Sequence, residues 1–209
     1  MSRSRTFLRY IEPDLPGLVL CRDMLVVRPT AHLVRGFLLE RTAEKGRVYL
    51  WRVVAPLYRP MTEVILNYSD RIPERGEIWI ENSAPQESID AIREPILKNI
   101  KYLRDVESPS DFLRHANWIR GGSPILSRLD RALTLYLVGD HGHGAELLRA
   151  LKAEADGLDP VRAEYIAPVL EQAVQALGSA EGLTPLLEQW ERQNVQRLGL
   201  EKSRLSAAI

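Results

Sequence analysis

The sequence predicts an α+β fold: an N-terminal, mostly antiparallel β-sheet with a packed helix, followed by a C-terminal all-α bundle of helical hairpins. Three observations carry this. Short apolar runs separated by turn residues are confined to roughly the first eighty positions, the pattern of successive strands. From about residue 84 the apolar period changes to that of a helix. Serine, threonine or aspartate followed by proline then recurs, as helix starts do. Strands first and helices afterwards is the order of the α+β class.

In chain order, "GLVLCRDMLVV" (17–27) is two apolar runs around Arg22-Asp23, a hairpin pattern. In "RPTAHL" (28–33) Thr30 is placed to cap a short helix or make a turn. "GFLLERT" (36–42) and "RVYLWRVVAPLY" (47–58) flank "AEKG", a short glycine-containing hairpin loop. The second run puts Tyr49, Trp51 and Val53 on one face and Val48, Leu50 and Val54 on the other, as expected of a central strand covered on both sides. "TEVILNYS" (62–69) and "GEIWIE" (76–81) complete a meander of four to six strands.

Ile89, Ile92, Ile96, Ile100 and Leu103 then form one helical stripe. Ser83 and Gln86 are spaced to cap it, and Pro95 must kink it or begin a second helix. Further helix starts fall at Ser108-Pro109, Ser123-Pro124, Asp159-Pro160 and Thr184-Pro185, and Pro168 predicts a bend within 160–177. The expected organisation is an α+β part over 1–106 and a helical part over 107–209, joined at "RDVESPSD" (104–111) and able to share a core.

The helical part echoes itself. Shifted by 39 residues, "LYLVGDHGHGAELLRAL" meets "VQALGSAEGLTPLLEQW", with Gly139 on Gly178, Leu147 on Leu186 and Leu148 on Leu187. Each copy reads as helix, glycine break, helix, with the glycine in a left-handed helix-ending position. The break after "LYLVGD" and the later Ala-Glu-Leu-Leu resemble a degenerate tetratricopeptide unit. The resemblance covers one hairpin, lacks most of that family's signature, and implies helix pairing without implying a partner.

Composition narrows the function. With 45% hydrophobic and 27% charged residues, the 209-residue chain is that of a soluble globular protein. Its 28 basic and 28 acidic residues cancel, so no bulk attraction draws it to nucleic acid or an anionic membrane. A single cysteine, Cys21, excludes an intrachain disulfide and a cysteine zinc cluster. The N-terminus lacks the apolar core of a signal peptide and no run is long enough to span a membrane, so a cytoplasmic location is expected. The excess of arginine over lysine suggests a GC-rich, bacterial coding bias.

Candidate chemistry is sparse. Asp140, His141 and His143 lie in "VGDHGHGAE" (138–146) and are the one candidate metal set. Histidines two apart chelate together from a strand but diverge by about 200° on a helix, and a stable zinc site needs three or four ligands. A polar glycine-rich linker is therefore the first reading of this stretch. Its glycines do not form a phosphate-binding pattern. The strands interleave Tyr49, Trp51, Tyr58, Tyr68 and Trp79 with Arg52, Arg59, Arg71 and Arg75. Those four arginines are the candidate binding residues, for a sheet of rings and arginines is one way to hold single-stranded nucleic acid. Acidic Glu63, Asp70, Glu74 and Glu77 lie among them and weaken that reading. Cys21 sits in an apolar run; His32 and His115 are candidate bases, but no nucleophile turn accompanies them. No catalytic set and no cofactor motif emerges.

The leading expectation is thus a non-enzymatic, cytoplasmic protein-interaction module whose partner is another protein: an accessory subunit, or an immunity- or antitoxin-like partner. The alternatives are an enzyme with a cleft between sheet and bundle, and single-stranded nucleic-acid binding through the sheet.

Overall fold

The computed structural model describes residues 3–61, 66–73, 76–79, 85–116, 124–157 and 164–204. The hairpin at Arg22-Asp23 forms as expected: β1 (Leu18–Cys21) pairs antiparallel with β2 (Met24–Val27), with Arg22 at φ 52° in the tight turn. β3 (Leu33–Arg41) and β4 (Arg47–Pro56) follow, in register from Leu33 opposite Pro56 to Arg41 opposite Val48. Two short strands, β5 (Asp70–Ile72) and β6 (Ile78–Trp79), both pair with the remaining edge of β4, one after the other. The sheet is antiparallel throughout, in the order β1-β2-β3-β4-β5.

Alternation along β4 decides what covers the sheet. Val48, Leu50 and Val54 face the larger core, with Phe37 and Leu39 of β3. Val53 and Ala55 face a second cluster with Met24, Val26 and Val34. The central strand is therefore covered on both sides. Against the first face packs α2 (Pro85–Arg104), with Ile92, Ile96 and Leu103 fully buried on its stripe. This helix runs unbroken through Pro95, so no second helix begins there. Arg35 of β3 is buried and donates from Nη1 to the Leu103 carbonyl at 3.2 Å and from Nη2 to Pro29 O at 2.8 Å, a cation set at the negative end of α2.

The N-terminus contributes a helix the strand-like reading passed over. α1 (Arg3–Ile11) buries Phe7, Leu8 and Ile11, whose spacing is helical. Residues 28–32 make a turn, not a helix: Thr30 is buried, and its N–H donates to Ser203 O at 2.8 Å. The expected strand over 62–69 is corrected as well. Leu66–Tyr68 form one 3₁₀ turn and the strand starts at Asp70, because the turn directs Tyr68 inward; residues 62–65 lie outside the described residues.

Ser108 caps α3 (Pro109–His115) in a complete capping box with Asp111. α4 (Pro124–Leu137) packs against α5 (His141–Ala155), and α5 against α6 (Ala167–Leu177). The bend expected at Pro168 is instead a helix start, where a proline needs no N–H partner. α7 (Thr184–Leu198) and the short α8 (Glu201–Arg204) end the described chain. Thr184 is not the cap of α7. Leu183 holds that place without a side-chain cap, its N–H donating to the Tyr136 hydroxyl at 3.2 Å. Ser83, Ser123 and the Asp159-Pro160 pair lie outside the described residues.

One hydrophobic cluster runs from Phe7 through the sheet and α2 to Leu129, Leu148, Leu170 and Trp190, and includes Val106 from the 104–111 connection. The second is closed by Val195 and Leu198 of α7 with Leu200. Among the described residues no helix is long and apolar enough to cross a membrane.

Candidate functional site

The four candidate arginines do not form one surface. Arg59 is fully buried, and its Nε donates to Asp130 Oδ1 at 2.5 Å; neither side chain is more than 1% exposed. Asp130 stands on the buried stripe of α4 and also accepts from the Tyr68 hydroxyl at 3.1 Å. Arg59 Nη1 donates to Tyr165 Oη at 3.0 Å, and that hydroxyl donates to Pro60 O at 2.7 Å. Thr134 donates to the Asp130 carbonyl, so the Tyr58 hydroxyl, 2.7 Å away, donates to Thr134. Asn194 of α7 completes the frame. Its Nδ2 donates to Leu57 O and Arg59 O, both at 2.6 Å, and its Oδ1 accepts from the Met61 N–H at 3.3 Å. Burial works against the Arg59 charge, yet Asp130 beside it prevails and raises its pKa. Burial pushes the Tyr58 and Tyr68 hydroxyls far above their ordinary range. This network fixes the 57–61 segment between sheet and bundle; it presents no open chemistry.

Arg71 and Arg52 lie on opposite faces of the sheet. Arg71, opposite Trp51 in the register, lays its guanidinium over the Tyr49 ring at 3.8 Å and the Trp51 ring at 4.9 Å. Around this stack, Trp51 Nε1 donates to Glu40 at 2.7 Å, and Tyr49 Oη and Arg47 Nη1 donate to Glu77 at 2.9 and 2.8 Å. The bonds from Arg47 and Tyr49 hold the Glu77 carboxyl below its usual range. Tyr49 and Trp51 are half-buried, and Trp51 packs against the second cluster.

Arg52 faces the opposite way, into a recess of about 650 Å³ between the β4–β5 edge, α2 and α3. It pairs with Asp70, its cross-strand neighbour, at 2.7 Å, donates to Asn99 Oδ1 at 3.1 Å, and lies 3.7 Å over the Tyr102 ring. His115 of α3 meets Tyr102 edge-on at 6.2 Å. Tyr68 forms the inner wall, packed edge-to-face on Phe112 at 4.9 Å, and so joins the recess to Asp130. Arg75 lies outside the described residues, as do Glu63 and Glu74.

The stretch 138–146 is a helix start and not a linker. Only Val138, Gly139 and Asp140 lie between α4 and α5, and His141, Gly142, His143 and Gly144 are helical. Asp140 caps α5, accepting from His143 N at 3.4 Å and meeting His143 Nδ1 at 3.3 Å. His141 turns away and stacks on Tyr136 at 4.4 Å, nearly parallel. The three candidate metal ligands are thus not brought together, and among the described residues no group of three His, Cys, Asp or Glu is placed to hold a metal ion. Gly144 is buried because α5 crosses α4 there: a Cβ would lie 2.8 Å from Ala132 O. Gly139 has φ 94°, the left-handed helix end, whereas its echo Gly178 is right-handed at φ −86° and Gly182 takes the positive φ in that copy.

The remaining candidates are occupied or shielded. His32 Nδ1 is 2.7 Å from Glu191, whose hydrogen bond raises its pKa. Cys21 is buried, and that burial pushes its thiol up, away from reactivity. Sequence reasoning missed Asp130 and Asn194. The signal for Asp130 was present: it interrupts the stripe Leu126, Leu129, Leu133, Leu137, where a charge belongs only if paired.

No family model, curated protein or solved structure matches the chain.

Proposed function

We propose that the protein is a non-catalytic protein-interaction module, an accessory subunit or an immunity- or antitoxin-like partner, and that the Tyr49–Trp51–Arg71 face is its contact surface. The observation that carries this is the stack itself, half-exposed on a sheet face. Tyrosine, tryptophan and arginine are the side chains that dominate binding energy at protein interfaces. Here all three are held on strands, Tyr49 fixed by Glu77 and Trp51 by Glu40, so little ordering entropy is lost on contact.

The same geometry argues against single-stranded nucleic acid. Bases need open ring faces, and Arg71 lies over both rings. The carboxylates of Glu40, Glu44 and Glu77 balance Arg47 and Arg71 around them. The enzyme reading has less support: among the described residues no base is hydrogen-bonded to Ser69 Oγ in the recess.

Affinity capture from the native host, with crosslinking, tests the proposal. A stoichiometric protein partner is expected on the wild-type chain and lost on a Trp51→Ala/Arg71→Ala variant of unchanged fold. Absence of any stoichiometric partner, or equal retention by the variant, overturns it.

A further inference from the structure

The recess on the other face of the sheet carries an inference of its own. Its volume, about 650 Å³, lies inside the range of small-molecule sites, about 300–1,000 Å³. Its wall is rich in unused donors. Arg52 commits Nη1 to Asn99 and Nη2 to Asp70, but its Nε has no partner; neither does Asn67 Nδ2 or Ser69 Oγ. Asn67 and Ser69 flank Tyr68 on the segment running into β5, whose Asp70 pairs across to Arg52, so the three donors belong to one wall. A buried donor left unpaired is costly, and an acceptor placed there would relieve that cost. Asp70 is the sole carboxylate among the described lining residues, and Arg52 already engages it. Tyr102 and His115 also line it, with Arg52 over one face of the Tyr102 ring.

Spare donors and a guanidinium beside aromatic rings describe a definite ligand chemistry. We infer that this recess binds a small organic anion, a carboxylate or phosphate monoester on a ring-sized body. The oxyanion meets Arg52, Asn67 and Ser69, and the ring lies against Tyr102 and His115.

Titration of the ¹⁵N-labelled full chain with phenyl phosphate, benzoate and phenol tests it. Phenyl phosphate or benzoate should shift amides of 67–73 and 99–116 saturably, and phenol should bind about ten-fold more weakly or less, since a charge-assisted hydrogen bond is worth about that factor. Arg52→Gln should weaken the anion by about ten-fold or more. Should Arg52→Gln fail to fold, Asn67→Leu and Ser69→Val, which leave the Asp70 and Asn99 bonds in place, should each weaken it several-fold. No saturable shift with either anion, equal binding of phenol, or unchanged affinity in the folded variants overturns the inference. Because the site lies opposite the Tyr49–Trp51–Arg71 stack, this result and that of the partner capture are read separately.

Discussion

Replacing Asp130 with alanine should be among the most damaging single changes in this chain. The carboxylate and the Arg59 guanidinium are at most 1% exposed and 2.5 Å apart. Each was stripped of water on folding and is compensated chiefly by the other. Removing one partner of such a pair costs about 3–5 kcal/mol, because a bare charge is left behind. Here the Tyr68 hydroxyl also loses its acceptor at 3.1 Å, placing the expectation in the upper half of that range. For a chain of this size the loss corresponds to a fall in Tm of roughly 8–20 °C. Urea unfolding followed by tryptophan fluorescence and circular dichroism measures it. The double variant Arg59→Met/Asp130→Leu supplies the control: removing both charges should cost less than the two single changes together, by about 2 kcal/mol or more. A loss below about 1 kcal/mol for Asp130→Ala, or strict additivity in the cycle, would refute the claim that this pair is closed and mutually dependent.

Three further outcomes follow from geometry. Gly142→Ala and Gly144→Ala, one turn apart at most, should act in opposite directions. At Gly142 a Cβ meets nothing within 4 Å, so alanine gains about 0.5–1 kcal/mol of helix propensity; at Gly144 it meets backbone of α4, and overpacking costs about 1–3 kcal/mol. Thermal melts of the two variants report the sign. Ser108→Ala should cost about 1 kcal/mol at neutral pH through the lost cap. Its hydroxyl and backbone N–H help hold Asp111 at about 2, below the ordinary 3.8. That stability is present above 3.8 and lost as pH falls through about 2, so the gap between variant and wild type should narrow over that interval in acid melts. His32 should titrate above its ordinary 6.5 by NMR and return toward it in Glu191→Gln. The pair is half-exposed, so its contribution is below about 1 kcal/mol; it is complete below pH 6.5 and fades as pH rises through the raised value.

The parts of this fold legible in the sequence were those encoded by period and turn chemistry. The β1–β2 and β3–β4 hairpins, the two-sided burial of β4 and the apolar stripe of α2 were all readable from alternation and spacing. What escaped was set by distant partners. Leu66–Tyr68 read as strand because its residues favour strands, and only Asp130, 62 residues on from Tyr68, explains why it turns inward. Gly142 and Gly144 read as linker because glycine is a poor helix former; a close helix crossing that requires Gly144 is invisible until α4 lies beside it. At the candidate site, composition singled out Arg52 and Arg71 but not that they face opposite ways with separate aromatic partners. That follows from their register across β4 and β5, where Asp70 and Arg71 are neighbours in sequence and opposite in facing.

The closure of the second sheet face by Val195, Leu198 and Leu200 has a consequence for biosynthesis. A ribosome releases the strands long before it makes α7 and α8. Until then Val26, Val34, Val53 and Ala55 line an apolar sheet surface that lacks the cover of Val195, Leu198 and Leu200, and Asn194 is not yet there to hold the 57–61 segment. The nascent chain therefore passes through a stage whose exposed face invites chaperone capture or self-association. Final consolidation waits on contacts more than 130 residues apart in sequence, such as Asn194 to Leu57.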